Sequence, residues 1–195
     1  MAQHKFRIIE DTLTGASKDL SKCLDCFYPA YNRNGFNERN LPFYFAKYFC
    51  SENNGHAFME IPYINKKTGI LSNRIDCLVY NSKIAIFIES KRLYNKIKSE
   101  EIAKDINRLG VGNIRYILKK LPITPKPKRI FSLILAETWQ QKQKNVLEWW
   151  MTGRSKRLSW SRKGYPTDWL YSNLTVKEYE KSTLYWLYAY KELKM

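Results

Sequence analysis

The spacing of hydrophobic positions predicts an alternating series of helices and strands. Apolar residues recur every three or four positions near 41–49, 99–109, 113–121 and 145–151, which is typical of helices that bury one face. Strands are predicted over 56–64, 74–80, 83–93 and 129–138, where β-branched and aromatic residues alternate with polar ones or form short apolar runs. This order predicts an α/β fold, whereas 183–193 is compatible with either a strand or a helix.

A β-hairpin is predicted where two of these strands are close together in the chain. Asn81 and Ser82 separate the strands and are typical turn residues, so residues 74–93 are predicted to pair as one antiparallel unit. If these two residues alone form the turn, Asp76 lies opposite Phe87. The register matters, because a slip of one residue would move Asp76 to the other face of the sheet.

Charged residues directly follow the most hydrophobic strand. Residues 84–88 are apolar at every position, and Glu89, Ser90 and Lys91 come next. With a side-chain period of two, Asp76, Glu89 and Lys91 are predicted to share a face, with the Cβ atoms of the two carboxylates about 7 Å apart. Two such carboxylates would hold Mg²⁺, with Mn²⁺ able to substitute. The alternative is a Glu89–Lys91 ion pair at a strand end, with Asp76 on the surface.

The charge of the chain favours a polyanionic partner. Its 195 residues include 34 Lys and Arg against 18 Asp and Glu, a net charge of +16. Residues 96–195 carry 21 of the basic and 9 of the acidic side chains, and all six tryptophans lie between 139 and 186. Basic and aromatic side chains together suit nucleic acid. The residues predicted to contact it are Arg154, Lys156, Arg157, Trp160, Arg162 and Lys163.

Several other classes of protein are not favoured. No apolar run is long enough for a signal peptide or a membrane span, and four cysteines are too few for a secreted disulfide framework, so we expect a cytoplasmic protein without a membrane partner. Cys23 and Cys26 have zinc-like spacing, but no second close pair accompanies them. A Walker-type phosphate loop does not occur in the sequence.

The arrangement of Asp76, then twelve residues, then Glu89-Ser90-Lys91 resembles the signature of the PD-(D/E)XK nucleases, the restriction-endonuclease-like superfamily. The resemblance implies a restriction-endonuclease-like core at about 38–139, with a central mixed β-sheet flanked by helices. A basic, aromatic-rich extension at about 140–195 would belong to the same single nuclease-like domain. The resemblance also implies that Asp76 and Glu89 hold the metal, that Ser90 contributes its main-chain carbonyl, and that Lys91 assists the attacking water.

Further residues are candidates to assist the metal site. Some members of that superfamily carry a further glutamate in the first helix, and Glu38 is similar in position. Polar residues on the helix after the motif often assist in the family, which makes Lys104 and Arg108 candidates. Glu60, on the first predicted strand, would add a metal ligand or would be an exposed carboxylate. One departure is that Ile75, rather than a proline, precedes Asp76.

The expected function is that of a Mg²⁺-dependent deoxyribonuclease that acts as an endonuclease. In the expected reaction, a metal-activated water attacks a backbone phosphate in line. Many enzymes of this kind act as homodimers, because two strands require two cuts. Two alternatives remain open from the sequence. One is a nucleic-acid-binding protein on the same fold that does no chemistry, and the other is a protein-directed interaction factor.

Overall fold

The computed structural model describes residues 7–26, 37–64, 68–69, 71–140 and 145–194. These residues form an α/β fold built on one six-stranded mixed sheet that is flanked by helices. The helices are α1 Arg7–Cys26, α2 Asn40–Asn53, α3 Lys96–Arg108, α4 Val111–Lys120 and α5 Asn145–Thr152. The strands are β1 His56–Ile64, β2 Leu71–Tyr80, β3 Ile84–Arg92, β4 Arg129–Gln140, β5 Leu170–Glu178 and β6 Thr183–Leu193.

The sheet has the strand order β1-β2-β3-β4-β6-β5. Only β3 and β4 run parallel to each other, and every other neighbouring pair is antiparallel. The connection from β3 to β4 passes through α3 and α4. Because β3 and β4 are parallel and adjacent, their carboxyl ends meet at one edge of the sheet.

Two hydrophobic clusters cover the two faces of the sheet. On one face, α1 and α2 pack against residues such as Ile86 and Phe131. On the other face, α3, α4 and α5 pack against residues such as Phe87 and Ile134. Residues 84–90 are all buried, as expected for a strand covered on both faces. Strand β3 is therefore buried as far as Ser90, and charged side chains in this part of the strand need partners.

The β2–β3 turn is longer than the two-residue turn expected from the sequence. Tyr80 pairs with Ala85 rather than with Lys83. The side-chain Oδ1 of Asn81 accepts hydrogen bonds from the backbone N of Lys83 and of Ile84, which stabilises the wider turn. The predicted register is therefore wrong by two residues. A shift of two keeps the same face assignment, and continuing this register would place Asp76 across from Glu89 rather than Phe87.

The helices α3 and α2 differ in how their first turns are capped. The Asn95 side chain caps α3 by accepting a hydrogen bond from the backbone N of Lys98, so the helix begins three residues before the predicted start at 99. Helix α2 begins at Asn40, and the preceding residue, Arg39, makes no capping hydrogen bond through its side chain. The nearby side-chain bond is instead made by Asn37, whose Oδ1 accepts from the backbone N of Arg39.

The C-terminal segment contributes to the same sheet. Residues 183–193, ambiguous in the sequence, form β6, which pairs with β4 along its whole length and is followed in the sheet by β5. Two elements, α1 and β5, were not predicted. None of the helices in the described ranges is long and apolar enough to cross a membrane.

Candidate metal centre

Glu89 and Lys91 lie at the end of β3 and both face α3, as their alternation along the strand predicts. Glu89 is only 1% exposed, and its Oε1 lies 3.1 Å from Nη2 of Arg108. Lys91 is half-buried, and its Nζ lies 3.6 Å from Oδ2 of Asp105 and 3.6 Å from Oε2 of Glu101. The end of β3 is therefore joined to α3 by a network of opposite charges.

Asp76 lies where β2 and β3 stop pairing with each other. The recorded pairs end at Cys77 and Ile88, and beyond them Oδ2 of Asp76 accepts hydrogen bonds from both the backbone N and Oγ of Ser90, each at 2.7 Å. The carboxylate thus lies against the main chain of β3. The strands separate at this point and the Asp76 side chain turns toward Ser90, while Asp76 stays close enough to contribute to the raised pKa of both Glu89 and Lys91.

Burial and charge change the protonation behaviour of the two buried carboxylates. Burial raises the pKa of Glu89 to about 9, with Asp76 and Asp105 adding to the rise and Arg108 and Lys91 opposing it. Burial also raises the pKa of Asp105, again opposed by Arg108 and Lys91. With a pKa of about 9, the Glu89 carboxyl group holds its proton near neutral pH in spite of the neighbouring cations.

The Lys91 ammonium remains charged in this environment. Burial acts to lower its pKa, but the nearby carboxylates, led by Asp105 and Glu38, outweigh burial and raise the pKa above its ordinary value. Lys91 is therefore suited to stabilise negative charge as a cation and is poorly suited to accept a proton.

Two buried carboxylate oxygens in this network receive no hydrogen bond. They are Oε1 of Glu89 and Oδ2 of Asp105, each near a cation but without hydrogen-bond geometry. Mg²⁺ needs only one or two carboxylates and completes its coordination with water or phosphate oxygen. Asp76, Glu89 and the Ser90 carbonyl fit this need by donor type. Within the described ranges, no three His, Cys, Asp or Glu side chains form a ready-made metal site.

The two accessory glutamates lie at different distances from this centre. Oε2 of Glu38 accepts a weak hydrogen bond of 3.4 Å from the backbone N of Arg92, and Glu38 contributes to the raised pKa of Lys91. Glu60 lines a cavity together with Asp76, but its carboxylate pairs with Arg39 at 3.8 Å. Glu60 also has φ of 58°, in the left-handed region. Glu38 thus lies beside the centre, next to Arg92, whereas Glu60 lies in the cavity that Asp76 also lines.

Of the two predicted residues on α3, Arg108 lies in the centre and Lys104 is exposed to solvent. The residue that sequence reasoning missed is Asp105, which is 4% exposed and accepts a hydrogen bond of 2.6 Å from Arg108. The sequence did contain a pattern that could have identified it, because Asp105 lies between positions 103 and 106 on the face of α3 that packs on the sheet. An acidic residue at such a position requires a charged partner.

A second buried ion pair, also missed, lies at the end of β4. Glu137 is 1% exposed, and its Oε1 lies 2.9 Å from Nε of Arg92. Burial raises the pKa of Glu137 to about 7, while Arg92 opposes the rise. The signal was the same as for Glu89, since a glutamate follows an apolar run directly. Because β3 and β4 are parallel, Glu137 and Glu89 lie at the same edge of the sheet.

Four of the predicted nucleic-acid contacts lie on an exposed segment between α5 and β5. They are Arg154, Lys156, Arg157 and Lys163. Trp160 is partly buried, and its carbonyl oxygen accepts a hydrogen bond from Nε1 of Trp149 at 3.0 Å. Its ring also packs edge-on against the Trp149 ring.

Arg162 is placed differently from its predicted role as a surface contact. Its guanidinium lies 4.4 Å from the ring centre of Tyr171 and 5.0 Å from that of Tyr165, and it donates a hydrogen bond of 3.0 Å to the carbonyl oxygen of Trp150. Burial lowers its pKa. Arg162 therefore holds the exposed segment against α5 and β5.

Cys23 and Cys26, the pair with zinc-like spacing, are exposed near the end of α1, whereas Cys77 is buried on β2. Among the described residues, neither exposed cysteine belongs to a group of three His, Cys, Asp or Glu side chains that could hold a metal ion. The chain has no significant match among protein-family models, curated proteins or solved structures.

Proposed function

We propose that this protein is a metal-dependent nuclease that hydrolyses DNA phosphodiester bonds at the end of β3. The observation that carries this proposal is the buried Glu89 carboxylate, whose Oε1 receives no hydrogen bond although Asp76, Lys91 and Arg108 surround it. Burying so many ionisable groups reduces the stability of the fold, and clusters of this kind are typical of functional sites.

The order of elements supports a restriction-endonuclease-like core. The family resemblance requires a helix, a hairpin bearing the carboxylates, a helix and a further strand. Helix α2, strands β2 and β3, helix α3 and strand β4 follow one another in that order. The same resemblance assigns the metal-binding positions to Asp76 and Glu89, which lie where β2 and β3 separate.

The residues suggest a division of roles. Asp76, Glu89 and the Ser90 carbonyl would hold Mg²⁺, which when bound supplies an activated water and stabilises charge on the phosphate. The Lys91 ammonium remains protonated and would stabilise the negative charge that develops on the phosphate oxygens. The exposed residues Arg154, Lys156 and Arg157 would hold the DNA backbone by charge.

A nucleic-acid-binding protein without catalysis is the second candidate. The observation that favours it is the position of Arg108, whose Nη2 already lies 3.1 Å from Glu89 and would neutralise that carboxylate without a metal ion. In this alternative the charged network at the end of β3 is structural, and only the exposed basic segment contacts nucleic acid.

A cleavage assay on duplex, single-stranded and branched DNA distinguishes the two candidates. We expect cutting with Mg²⁺ or Mn²⁺ and none with EDTA. Asp76→Asn and Lys91→Ala should each reduce the rate by at least a hundredfold while DNA affinity measured in EDTA changes little. Glu100→Gln and Lys47→Ala, at exposed positions, are the matched controls. Absence of divalent-dependent cutting by the wild type on all three substrates would favour the binding protein.

Metal binding is tested separately by thermal unfolding. A ligand that binds only the folded state raises the melting temperature. We therefore expect Mn²⁺ to raise the melting temperature of the wild type, and of Glu100→Gln, but not that of Asp76→Asn. Equal shifts in all three proteins would show that Mn²⁺ binds elsewhere.

A further inference from the structure

A cavity of about 560 Å³ lies at the carboxyl ends of β3 and β4. Its volume is in the range of cavities that bind small ligands. It is lined by Arg92, Leu93, Tyr94, Glu137, Thr138 and Trp139. Arg92 directly follows Lys91 on β3, so the cavity and the candidate metal centre lie at the same end of this strand, although the two side chains project to opposite faces of the sheet.

Two aromatic side chains line this cavity. Tyr94 is 62% exposed. The Trp139 ring is stacked on Tyr179, with ring centres 5.8 Å apart and an angle of 29° between the planes, which fixes the orientation of the indole. Aromatic side chains of this kind stack on the flat faces of unpaired bases. The cavity is therefore suited to a planar ring.

An acceptor and a donor lie side by side among the lining residues. Glu137 is 1% exposed, and no group in the described parts of the chain donates a hydrogen bond to its Oε1. That oxygen lies 2.9 Å from Nε of Arg92, as an ion pair without hydrogen-bond geometry. The carboxylate therefore keeps unused capacity to accept hydrogen bonds, next to a guanidinium that can donate them.

This pairing matches the hydrogen-bonding edge of guanine. Guanine presents the acceptor O6 beside the donors N1–H and N2–H₂, so a carboxylate can accept two hydrogen bonds while a neighbouring guanidinium donates to O6. The other bases present only one donor group on this edge. Guanine is thus the base that can donate the most hydrogen bonds to the Glu137 carboxylate.

We propose that this cavity binds an unpaired guanine of a single-stranded DNA segment, one step along the strand from the phosphate at the metal centre. Glu137 accepts from the guanine edge, Arg92 donates to O6, and Tyr94 and Trp139 contact the ring. This inference rests on the proposed action on DNA and adds the form of DNA and the base that is recognised.

Binding of labelled oligonucleotides of about twelve thymidines tests the proposal, because this length spans a typical single-strand binding site. One central position carries guanine, hypoxanthine, adenine, cytosine or no base, and affinity is measured by fluorescence anisotropy with EDTA to prevent cutting. We expect guanine to bind about tenfold more tightly than hypoxanthine, which lacks the N2 amino group, and more tightly still than the abasic site.

Two variants separate hydrogen bonding from stacking. Glu137→Gln should remove the preference for guanine over hypoxanthine without changing affinity for the abasic oligonucleotide. Tyr94→Ala should weaken binding of every base by about fivefold or more, again without affecting the abasic oligonucleotide. Glu178→Gln and Phe58→Ala, at exposed positions on other strands, are the matched controls. Thermal unfolding checks that each variant is folded. If Glu137→Gln does not fold, Tyr94→Ala alone tests the proposal.

The outcomes are distinct. If the wild type binds guanine, hypoxanthine and abasic oligonucleotides equally, the guanine site is excluded while action on DNA stands. If it binds no oligonucleotide or duplex at moderate salt, the proposed function fails and this inference fails with it.

Discussion

Glu89 occupies a position where an ionised carboxylate reduces the stability of the fold. Its pKa is raised to about 9, mainly by burial, from an ordinary value of 4.5. Between these two values the unfolded chain releases the proton while the folded chain retains it. The free energy of unfolding therefore decreases as the pH rises through this window.

Replacement of this carboxyl group should flatten the pH dependence of stability. We expect Glu89→Gln, measured in EDTA, to melt at a higher temperature than the wild type at about pH 8, by several degrees, and to differ much less at about pH 5. Thermal unfolding across this range measures the effect. Glu148→Gln, at an exposed position on α5, should follow the wild type. Parallel curves for Glu89→Gln and the wild type would contradict the assignment.

At the scale of elements, an aromatic cluster attaches the exposed basic segment to the rest of the fold. The rings of Trp149, Tyr165 and Tyr171 surround the Arg162 guanidinium. The hydroxyl of Tyr165 also donates a hydrogen bond of 2.7 Å to the carbonyl oxygen of Ser99 on α3. The position of the basic segment is thus linked to the helix that carries Asp105 and Arg108.

Loss of the Arg162 guanidinium should destabilise the protein. We expect Arg162→Gln to lower the free energy of unfolding by about 1–3 kcal/mol, because a partly buried cation–π contact and a charged hydrogen bond are both lost. Arg162→Lys should not restore stability, since an ammonium cannot reproduce the planar stacking. Lys163→Ala, at the adjacent exposed position, should leave chemical denaturation unchanged but weaken DNA binding. Equal stability of all three variants would contradict this role.

The contact between α1 and α2 depends on a glycine. A Cβ atom at Gly15 would lie 1.9 Å from the Tyr48 ring, whereas a Cβ at Gly112, on α4, would meet no atom within 4 Å. Alanine favours helices by about 1 kcal/mol over glycine, so the space available decides the sign of the effect at each position.

Alanine substitution should therefore have opposite effects at these two glycines. We expect Gly15→Ala to lower the free energy of unfolding by about 1–2 kcal/mol through the displaced Tyr48 ring, and Gly112→Ala to raise it by about 0.5–1 kcal/mol. Urea denaturation measures both. A stabilising Gly15→Ala would mean that the two helices do not pack as described.

At the scale of the whole molecule, the net charge of +16 would govern the association with nucleic acid that the proposed function requires. Each phosphate that the protein neutralises releases counterions, so affinity falls steeply with salt concentration. Charges that contact DNA contribute to this slope, and charges elsewhere on the surface contribute little at ordinary ionic strength.

Removal of charge from the basic segment should reduce the salt dependence of binding. We expect the combined substitution to glutamine of Arg154, Lys156, Arg157 and Lys163 to lower the slope of log affinity against log salt by up to about 0.9 for each lost phosphate contact. The control has the same loss of charge on other surfaces, at Lys18, Lys22, Lys47 and Lys83, all exposed. Equal slopes for the two variants would show that this segment does not contact DNA.

Local pattern was sufficient to predict most elements. The predicted strand at 56–64 coincides with β1, and the apolar run at 84–88 forms the buried middle of β3. Helix α1 was missed although Ile9, Leu13 and Leu20 follow helical spacing, and β5 was missed because its side chains are mostly half-buried and give no clear alternation.

The sequence alone determined the α/β class, the hairpin with its face assignment, and the placement of Glu89 and Lys91 at the end of a buried strand, because these follow from periodicities of two and 3.6 residues. Tertiary structure decided where Asp76 turns, and it brought together Asp105 with Lys91 and Glu137 with Arg92. Those contacts depend on where strands separate and on how a helix or a parallel strand lies beside its neighbour. No local spacing encodes that geometry, because the partners come from different elements and meet only when the sheet is assembled.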